Sequence, residues 1–419
     1  MPNKLTSVAM LSVHTCPFAA LGGKKTGGMN VYIRELSRQL GVRGVNVDIF
    51  TRCESKDSDD IKRLGKNVKV IHIASGPEKT LTPLEIYPYL QEFTQNVLRF
   101  SEKMGTHYQL IHAHYWLSGL VALELRKRWK VPILQSFHTL GKVKNRFIPG
   151  NREPRVRLLA EEKLVARVDH LTASTGEERK NLIELYGARP DLISVIPPGV
   201  DTRRFHPIPK SQAKKAIGIA RNSNLLLFVG RLVPPKGLET LLRAIAVLKA
   251  SSGKAFGLEK RFELAIIGGE HEDRYMRTVK ALSTKLALDD VASFFGSRDQ
   301  RVLPNYYCAA DMTIIPSSHE SFGLVALESM ACGTPVIAAR VGGLQYLLSH
   351  RKTGLLVKPE DPRSLAVAIK TLIQNPVLRK KLGLHARREA RKYEWKKIEA
   401  KVRALYTSLI THHSSAIIH

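Results

Sequence analysis

Cysteine, acidic residues and long apolar runs are all scarce in this 419-residue sequence. The four cysteines stand far apart and form no C-x-x-C pair, at Cys16, Cys53, Cys308 and Cys332. This spacing favours neither a metal site nor a disulfide framework, and it predicts a reducing, cytoplasmic setting. No apolar run approaches the roughly 18 residues that span a bilayer. The apolar segment at 8–13 is too short for a secretory signal and predicts a first β-strand.

The shortage of acidic residues leaves a strong positive charge on the chain. Lys and Arg number 66 against 37 Asp and Glu, which gives a formal charge of +29. Such a field attracts polyanions, either nucleic acid or an anionic membrane face. The basic residues are spread along the chain, without the interleaved aromatic residues of single-strand binders. A solvated basic surface is the simplest interpretation; peripheral attraction to the inner membrane face is an alternative, and nucleic-acid binding a remote one.

Strand and helix patterns alternate from end to end, which indicates α/β domains with parallel sheets. The chain is long enough for two domains, each with its own core. Between them, the segment 197–207 combines prolines at both ends with a glycine, a composition that no regular element tolerates. We therefore predict an N-terminal domain over 1–200, a C-terminal domain over 208–390 and a last helix at 393–410.

Residues 316–343, PSSHESFGLVALESMACGTPVIAARVGG, contain the most informative pattern. A strand-like segment precedes them, helical spacing runs over 322–332, and a Gly-Thr-Pro turn leads to a buried strand at 336–339. Glu320 is thus predicted on the loop at the carboxyl edge of a parallel sheet, with Glu328 about two turns into the next helix. Open α/β sheets bind ligands at that edge, and the free N–H groups of a helix start suit a phosphate.

Cations and glycines are expected beside ligands of the same kind. Arg231 and Lys236 lie in GRLVPPKG at 230–237, between a buried strand and a helix. Two fixed positive charges there would stabilise a leaving nucleoside diphosphate, because charge grows on its phosphate as the glycosidic bond breaks. Gly27 and Gly28 would let the main chain approach a diphosphate closely. His138 follows a buried strand, so its ring is predicted to point into a cleft between the domains.

The two glutamates around FG, on a helix that runs into GTPVIA, resemble the nucleotide-sugar site of retaining GT-B glycosyltransferases of the family-four group. The resemblance implies two Rossmann-like domains that face each other across a cleft, with the last helix crossing back to the first. It implies that Glu328 binds the ribose, that Glu320 faces the donor sugar and that His138 contacts that sugar. The donor-binding residues expected are Gly27, Gly28, Arg231, Lys236, Ser297, Leu303, Glu320, Ser321, Phe322, Gly323, Leu324 and Glu328. The catalytic residues expected are His138, Arg231, Lys236 and Glu320.

Three further stretches concern the acceptor: GGMNVYI at 27–33, HAHYW at 112–116 and FHTLGKVKN at 137–145. They resemble the D-inositol-3-phosphate glycosyltransferases of mycothiol synthesis and, less closely, the sucrose-phosphate synthases. Both groups use a phosphorylated polyol or sugar as acceptor. The resemblance implies that an acceptor phosphate is held by Tyr115, Thr139 and Arg157.

Lysines near these residues favour an anionic acceptor. Lys142 and Lys144 place two cations at the same part of the chain, and Lys142 is included among the acceptor-binding residues. The inositol-phosphate enzymes use a further lysine after the third strand. It has no clean match in this sequence, since Lys79 is offset from the required position.

Two patterns typical of metal sites are also present. Asp57-Ser58-Asp59 has the D-x-D form of a metal clamp, but it stands in a polar stretch over 54–66 that indicates a solvated loop. His112 and His114 could form a ligand pair, yet no third ligand can be placed beside them. We predict a metal-independent enzyme without a cofactor.

The predicted activity is transfer of a hexosyl unit from a nucleotide-sugar, expected to be UDP-linked, to a small phosphorylated acceptor such as inositol phosphate. Retention at the anomeric carbon is expected from the resemblance. Three alternatives stay open: transfer to fructose 6-phosphate, transfer to a lipid-linked acceptor at a membrane surface and, remotely, nucleic-acid binding.

Overall fold

The computed structural model describes residues 4–19, 27–55, 60–147, 150, 152–220, 223–250, 262–269 and 274–418. The chain divides into two compact units. Of the described residues, 4–19, 28–197 and 395–418 belong to the first unit, and Gly27 and 198–394 belong to the second. Each unit contains a mostly or fully parallel sheet whose central strands are apolar and buried on both faces, as βαβ connections require.

The described part of the first unit contains an eight-stranded sheet, ordered β3-β4-β2-β1-β5-β6-β7-β8. Neighbouring strands are parallel except for β3, which runs antiparallel to β4 at one edge. The strands are β1 (Ser7–Leu11), β2 (Asn46–Arg52), β3 (Ile61–Gly65), β4 (Val68–Ile73), β5 (Ile111–His114), β6 (Ile133–Ser136), β7 (His170–Ala173) and β8 (Ile193–Val195).

Helices cover both faces of this sheet and include the last helix of the chain. They are α1 (Gly28–Val42), α2 (Pro83–Ile86), α3 (Leu90–Met104), α4 (Tyr115–Trp129), α5 (Gly141–Phe147), α6 (Arg155–Arg167), α7 (Gly176–Tyr186) and α16 (Trp395–Ile418). The last of these packs against α1. The Tyr406 hydroxyl of α16 lies 2.6 Å from Nδ1 of His112 at the centre of the sheet. Helix α16 is therefore joined to the first unit's core by a buried polar contact.

The second unit has a six-stranded parallel sheet in its described part, ordered β11-β10-β9-β12-β13-β14. This is the strand order of a Rossmann sheet. Its strands are β9 (Asn224–Val229), β10 (Phe262–Ile267), β11 (Ala292–Gly296), β12 (Met312–Ile315), β13 (Val336–Ala339) and β14 (Gly354–Val357). Its helices are α8 (Lys210–Ala216), α9 (Leu238–Ala250), α10 (Arg274–Lys285), α11 (Leu303–Ala309), α12 (Leu324–Ala331), α13 (Leu344–Leu347), α14 (Pro362–Gln374) and α15 (Pro376–Ala390).

The predicted α/β class with parallel sheets is confirmed, and two local interpretations are wrong. The polar stretch over 54–66 was predicted to be a loop, whereas Ile61–Gly65 forms the antiparallel edge strand β3. Only Leu64 is buried in that strand, so its apolar signal is weak. The sequence from about Pro83 to Met104 predicts one long helix, but a 3-10 turn at Tyr87–Tyr89 interrupts it, because Pro88 has no N–H to continue an α-helix.

Among the residues that the structure describes, no helix is both long enough and apolar enough to span a bilayer.

Candidate functional site

The strand order of the second unit reverses between β9 and β12, and ligands of open α/β sheets bind at such a switch point. The loop that leaves β9 contains Lys236, and the loop that leaves β12 contains Glu320. Nζ of Lys236 lies 2.6 Å from Oε2 of Glu320. Both side chains are partly exposed, at 23% and 17%. Two of the predicted catalytic residues therefore form one ion pair at the carboxyl edge of the sheet.

Backbone contacts bring these two loops together. Gly237 has φ +71°, and a Cβ atom added there would lie 2.0 Å from the carbonyl oxygen of Pro316. The backbone N–H of Ser318 also donates to the carbonyl of Pro235 at 2.9 Å. A larger residue at 237 would thus separate the loops that hold the Lys236–Glu320 pair.

Two adjacent glycines in the loop after β13 support Glu320. The N–H of Gly343 donates to the Glu320 carbonyl at 2.8 Å. Gly342 has φ +45°, and a Cβ atom there would lie 1.9 Å from the same carbonyl oxygen. Sequence analysis did not identify this support, although a glycine doublet after a buried strand is its visible signal.

Glu328 is buried and already accepts two hydrogen bonds from protein side chains. Gln300 Nε2 lies 3.1 Å from one carboxylate oxygen, and the Tyr307 hydroxyl lies 2.8 Å from the other. Burial, followed by the neighbouring Glu328, raises the pKa of Tyr307 well above its usual value, so this tyrosine stays a donor. A carboxylate has about four lone-pair sites, so ribose contact remains chemically compatible with these bonds. Sequence analysis missed both Gln300 and Tyr307.

The remaining predicted donor residues of the second unit lie in loops at the same sheet edge or at the start of helices. Gly323 is the N-cap residue of α12 and no side chain among the described residues caps this end, so the first N–H groups of the helix can face a ligand. Arg231 and Ser297 are exposed, whereas Leu303 is buried in the core. The other members of the predicted set are in the loop and first turn of α12: Ser321, Phe322 and Leu324.

Three predicted acceptor residues of the first unit meet around one guanidinium. Arg157 on α6 is buried, and its Nη2 donates to the carbonyl and the hydroxyl of Thr139 at 2.8 and 3.1 Å. The ring of Tyr115 lies 4.9 Å from the guanidinium carbon, a cation–π distance. The structure therefore brings together residues from three separate stretches of the sequence.

Carboxylates neutralise the cations of this cluster. Arg157 donates to Glu161 at 2.7 Å and to Glu153 at 2.8 Å. Lys144 pairs with Glu153 at 3.1 Å, and Lys142 pairs with Glu162 at 2.7 Å. Sequence analysis missed these acidic partners. Their signal was present, because Glu153 and Glu161 stand four residues before and after Arg157, which is the spacing of helical ion pairs.

Tyr115 and His138 both follow neighbouring strands of the first sheet and both have a left-handed backbone. Their φ angles are +75° and +61°, values that are rare for residues other than glycine. Such strain persists only where the surrounding structure holds it, and it is concentrated at functional sites. These two angles therefore mark the ends of β5 and β6 as a candidate site independently of the sequence motifs.

His138 belongs to a buried group of histidines. Its Nε2 lies 3.0 Å from Nδ1 of His114, and the Tyr32 ring packs edge-on at 5.4 Å between ring centres. Burial lowers the pKa of His138 to about 3 and that of His112, next to His138, also to about 3. Burial, with His112 and His138 nearby, lowers the pKa of His114 well below its usual value. These rings are therefore neutral near pH 7.

Gly27 and Gly28 lie at the start of α1, and Lys79 lies in the loop after β4. Gly28 is the first residue of α1, and a Cβ atom added to Gly27 would meet nothing within 4 Å among the described residues. The described residues therefore leave room beside Gly27 for the predicted approach of a diphosphate. Arg52 is fully buried and donates to the carbonyl of Lys79. The backbone carbonyl of Lys79 is therefore held by Arg52.

Two family descriptions match the chain. Glycosyltransferase Family 4 matches residues 26–204, and Glycosyl transferases group 1 matches residues 209–389. A D-inositol 3-phosphate glycosyltransferase from Thermomonospora curvata is 40% identical over 418 residues, which cover 97% of this chain and 96% of that relative. The chain belongs to the family-four glycosyltransferases.

Solved structures confirm the predicted GT-B fold of this glycosyltransferase. A sucrose-phosphate synthase from Thermosynechococcus elongatus matches with a TM-score of 0.88 at 31% identity, covering 97% of this chain and 100% of that one. The Anabaena protein HepE, solved with UDP-glucose, matches with a TM-score of 0.75 at 20% identity, covering 96% and 99% of the two chains. At that identity, the second match concerns the fold alone.

The structure describes one of the two patterns typical of metal sites, the His112 and His114 pair, but not the other. The D-x-D residues at 57–59 lie outside the described residues. Within the part of the chain that the structure does describe, no group of three or more His, Cys, Asp or Glu side chains could hold a metal ion. His112 instead contacts the hydroxyls of Ser136 and Tyr406, at 2.8 and 2.6 Å. Independence from metals and cofactors stays a prediction.

Proposed function

We propose that this glycosyltransferase moves a hexosyl unit from a UDP-sugar to a small phosphorylated polyol, with inositol phosphate as the first candidate. The observation that carries the proposal is the meeting of Tyr115, Thr139 and Arg157 around a buried guanidinium. Arginine in such a fixed setting suits a planar or tetrahedral oxyanion better than a neutral hydroxyl. The name of the Thermomonospora relative supports the same acceptor.

The ion pair of the second unit suits the departure of a nucleoside diphosphate. Lys236 is held at the switch point by Glu320 and by the backbone around Gly237. A positive charge fixed in place stabilises the negative charge that develops on the leaving phosphate without further reorganisation. Arg231, at the end of the same strand, is exposed and would add a second cation.

Retention at the anomeric carbon is proposed from the family resemblance, and the carboxylates bear on how it would be achieved. Glu320 is bonded to Lys236, and Glu328 accepts bonds from Gln300 and Tyr307. Neither carboxylate is therefore assigned as a nucleophile. We propose front-face displacement, in which the departing phosphate oxygen takes the acceptor proton. His138, whose Nε2 faces His114, would contact the transferred sugar through Nδ1 of its neutral ring.

A second acceptor is favoured by a specific observation. The sucrose-phosphate synthase from Thermosynechococcus matches the fold with a TM-score of 0.88 at 31% identity. Fructose 6-phosphate is also a phosphorylated polyol, so the Arg157 cluster would suit it for the same reason. The missing lysine match near Lys79 leaves room for this alternative.

The proposal is tested by offering UDP-glucose and UDP-N-acetylglucosamine, each with D-inositol 3-phosphate or fructose 6-phosphate, in the presence of EDTA. We expect a glycosylated phosphate product whose anomeric configuration matches that of the donor. Product from fructose 6-phosphate alone would move the enzyme to the second acceptor. Loss of turnover with EDTA, or inverted product, would overturn the corresponding part of the mechanism. Absence of product from both acceptors, with UDP still bound, would overturn the phosphorylated acceptor.

A further inference from the structure

The guanidinium of Arg157 has little capacity left for a ligand. Its Nε donates to Glu161, its Nη1 to Glu153 and its Nη2 to two oxygens of Thr139. These are four hydrogen bonds from a group with five N–H donors. An acceptor phosphate could bind this side chain in a bidentate manner only if one of the present partners moved away.

Glu161 and Thr139 are poorly placed to move. The Glu161 carboxylate has no exposed surface, and it also accepts from the backbone N–H of Gly141 at 2.8 Å and from the Tyr186 hydroxyl at 2.5 Å. Thr139 contributes its backbone carbonyl. Releasing either one would leave buried polar groups unpaired, which is strongly unfavourable for a charged group.

Glu153 is the partner that can leave. It stands just before α6, retains 12% side-chain exposure and bridges Nη1 of Arg157 to Nζ of Lys144. Burial alone would favour its neutral form, but Arg157 and Lys144 outweigh this and lower the pKa of the carboxyl. If the Glu153 carboxylate turns outward into water, it regains its hydration. If it stays in place, a phosphate that enters beside it meets a like charge.

We propose that Glu153 occupies the acceptor-phosphate position of the free enzyme and is displaced when the acceptor binds. Its departure releases Nη1 of Arg157 for the phosphate. The exchange selects acceptors by their charge. A phosphate ester near its dianionic form carries more negative charge than the Glu153 carboxylate and can displace it, whereas a neutral or weakly charged acceptor cannot. Glu153 is thus a specificity-determining residue, and this role rests on the proposed phosphorylated acceptor.

The test compares Glu153→Gln with the wild-type chain. The amide keeps the shape of the side chain and removes its charge, so we expect the Kd of inorganic phosphate, measured by calorimetry, to fall about tenfold. The KM for D-inositol 3-phosphate should fall by a similar factor while kcat changes less than about twofold. Glu124→Gln is the matched control, since it changes the net charge equally at an exposed pair with Lys127. It should leave both constants unchanged.

A second variant protects the test against misfolding. Glu153→Asp keeps the charge but shortens the side chain, so it should loosen the bond to Arg157 and tighten phosphate by a smaller factor than Glu153→Gln. Weaker or unchanged phosphate binding in both folded variants would overturn the role of Glu153 as a displaced competitor. Tighter inorganic phosphate without transfer to D-inositol 3-phosphate or fructose 6-phosphate would uphold the displacement and overturn the proposed function instead.

Discussion

The carboxyl edges of the two sheets hold their functional side chains in different ways. In the second unit, Lys236 and Glu320 are partly exposed, and backbone contacts at Gly237 and Gly342 set their positions. In the first unit, Arg157 is buried within a network of carboxylates. Exposed ion pairs contribute about 0–1 kcal/mol to stability, whereas breaking a buried pair costs several. Substitution of Lys236 should therefore change turnover more than stability, whereas substitution of the buried Arg157 should lower stability.

The largest expected effect is on stability and concerns Arg157. Arg157→Met leaves the carboxylates of Glu153 and Glu161 without their shared cation, which should lower the free energy of unfolding by about 3–5 kcal/mol. Urea denaturation followed by circular dichroism measures this. Arg189→Met, at an exposed pair with Asp191, is the control and should show no measurable change. Equal stability of the two variants would remove the contrast between the edges.

The next effect is on turnover and concerns Lys236. Lys236→Met removes the fixed charge beside the leaving phosphate, so kcat should fall about 100- to 1,000-fold. The free energy of unfolding should change by less than about 1 kcal/mol, because the ion pair is partly exposed. Lys249→Met, at the exposed pair with Asp290, should keep kcat within about twofold of the wild type. An unchanged kcat in Lys236→Met would remove this residue from the mechanism.

A glycine pair separates backbone strain from loop contact. Gly237 and Gly218 have nearly equal φ angles, +71° and +73°, but among the described residues a Cβ atom at Gly237 meets a backbone oxygen within 4 Å and one at Gly218 meets nothing. Both alanine variants should lose about 1–2 kcal/mol of stability through the left-handed backbone. Gly237→Ala should lose about 1–3 kcal/mol more, and its kcat should fall at least about tenfold as the Lys236 loop shifts. Similar kinetics in the two variants would mean that the loop contact does not position Lys236.

The smallest effect is a pH dependence of stability in the first unit. The pKa of His112 is about 3 in the folded chain and near 6.5 when unfolded, so the unfolded state binds the extra proton as pH falls below 6.5. This histidine should lower the free energy of unfolding by about 1.4 kcal/mol between pH 7.5 and pH 5.5. Between these two pH values the free energy of unfolding of His112→Asn should fall by about 1.4 kcal/mol less than that of the wild type, as measured by urea denaturation. An identical loss in the variant would show that His112 is protonated in the folded chain.

The two edges also differ in how much of them could be predicted from the sequence. Short motifs next to buried strands identify Glu320, Glu328 and the loop of Lys236. Such motifs show where a residue lies relative to the edge of a sheet. The supports of these residues come from distant segments, as with Gly342 against Glu320: the glycine doublet marks a turn in the sequence but does not show which residue it contacts. In the first unit the motifs contain Tyr115 and Thr139, and the family resemblance adds Arg157.

The pairing of charges in the first unit was harder to predict than the residues themselves. Lysines and an arginine near one another indicated a positively charged acceptor site, but the carboxylates that neutralise them were overlooked. Glu153 and Glu161 stand at helical spacing from Arg157, so this part was visible in the sequence. The pair between Lys142 and Glu162 depends on how α5 packs on α6, which only the folded structure reveals.

The central claim is that the Arg157 cluster binds the phosphate of the acceptor. The most direct test is the ratio of kcat/KM for D-inositol 3-phosphate to that for myo-inositol, with the same donor. Charge-paired contacts of this kind contribute about 2–5 kcal/mol, so the account predicts a ratio of at least about 30 in favour of the phosphate ester. Equal values for the two acceptors would contradict it.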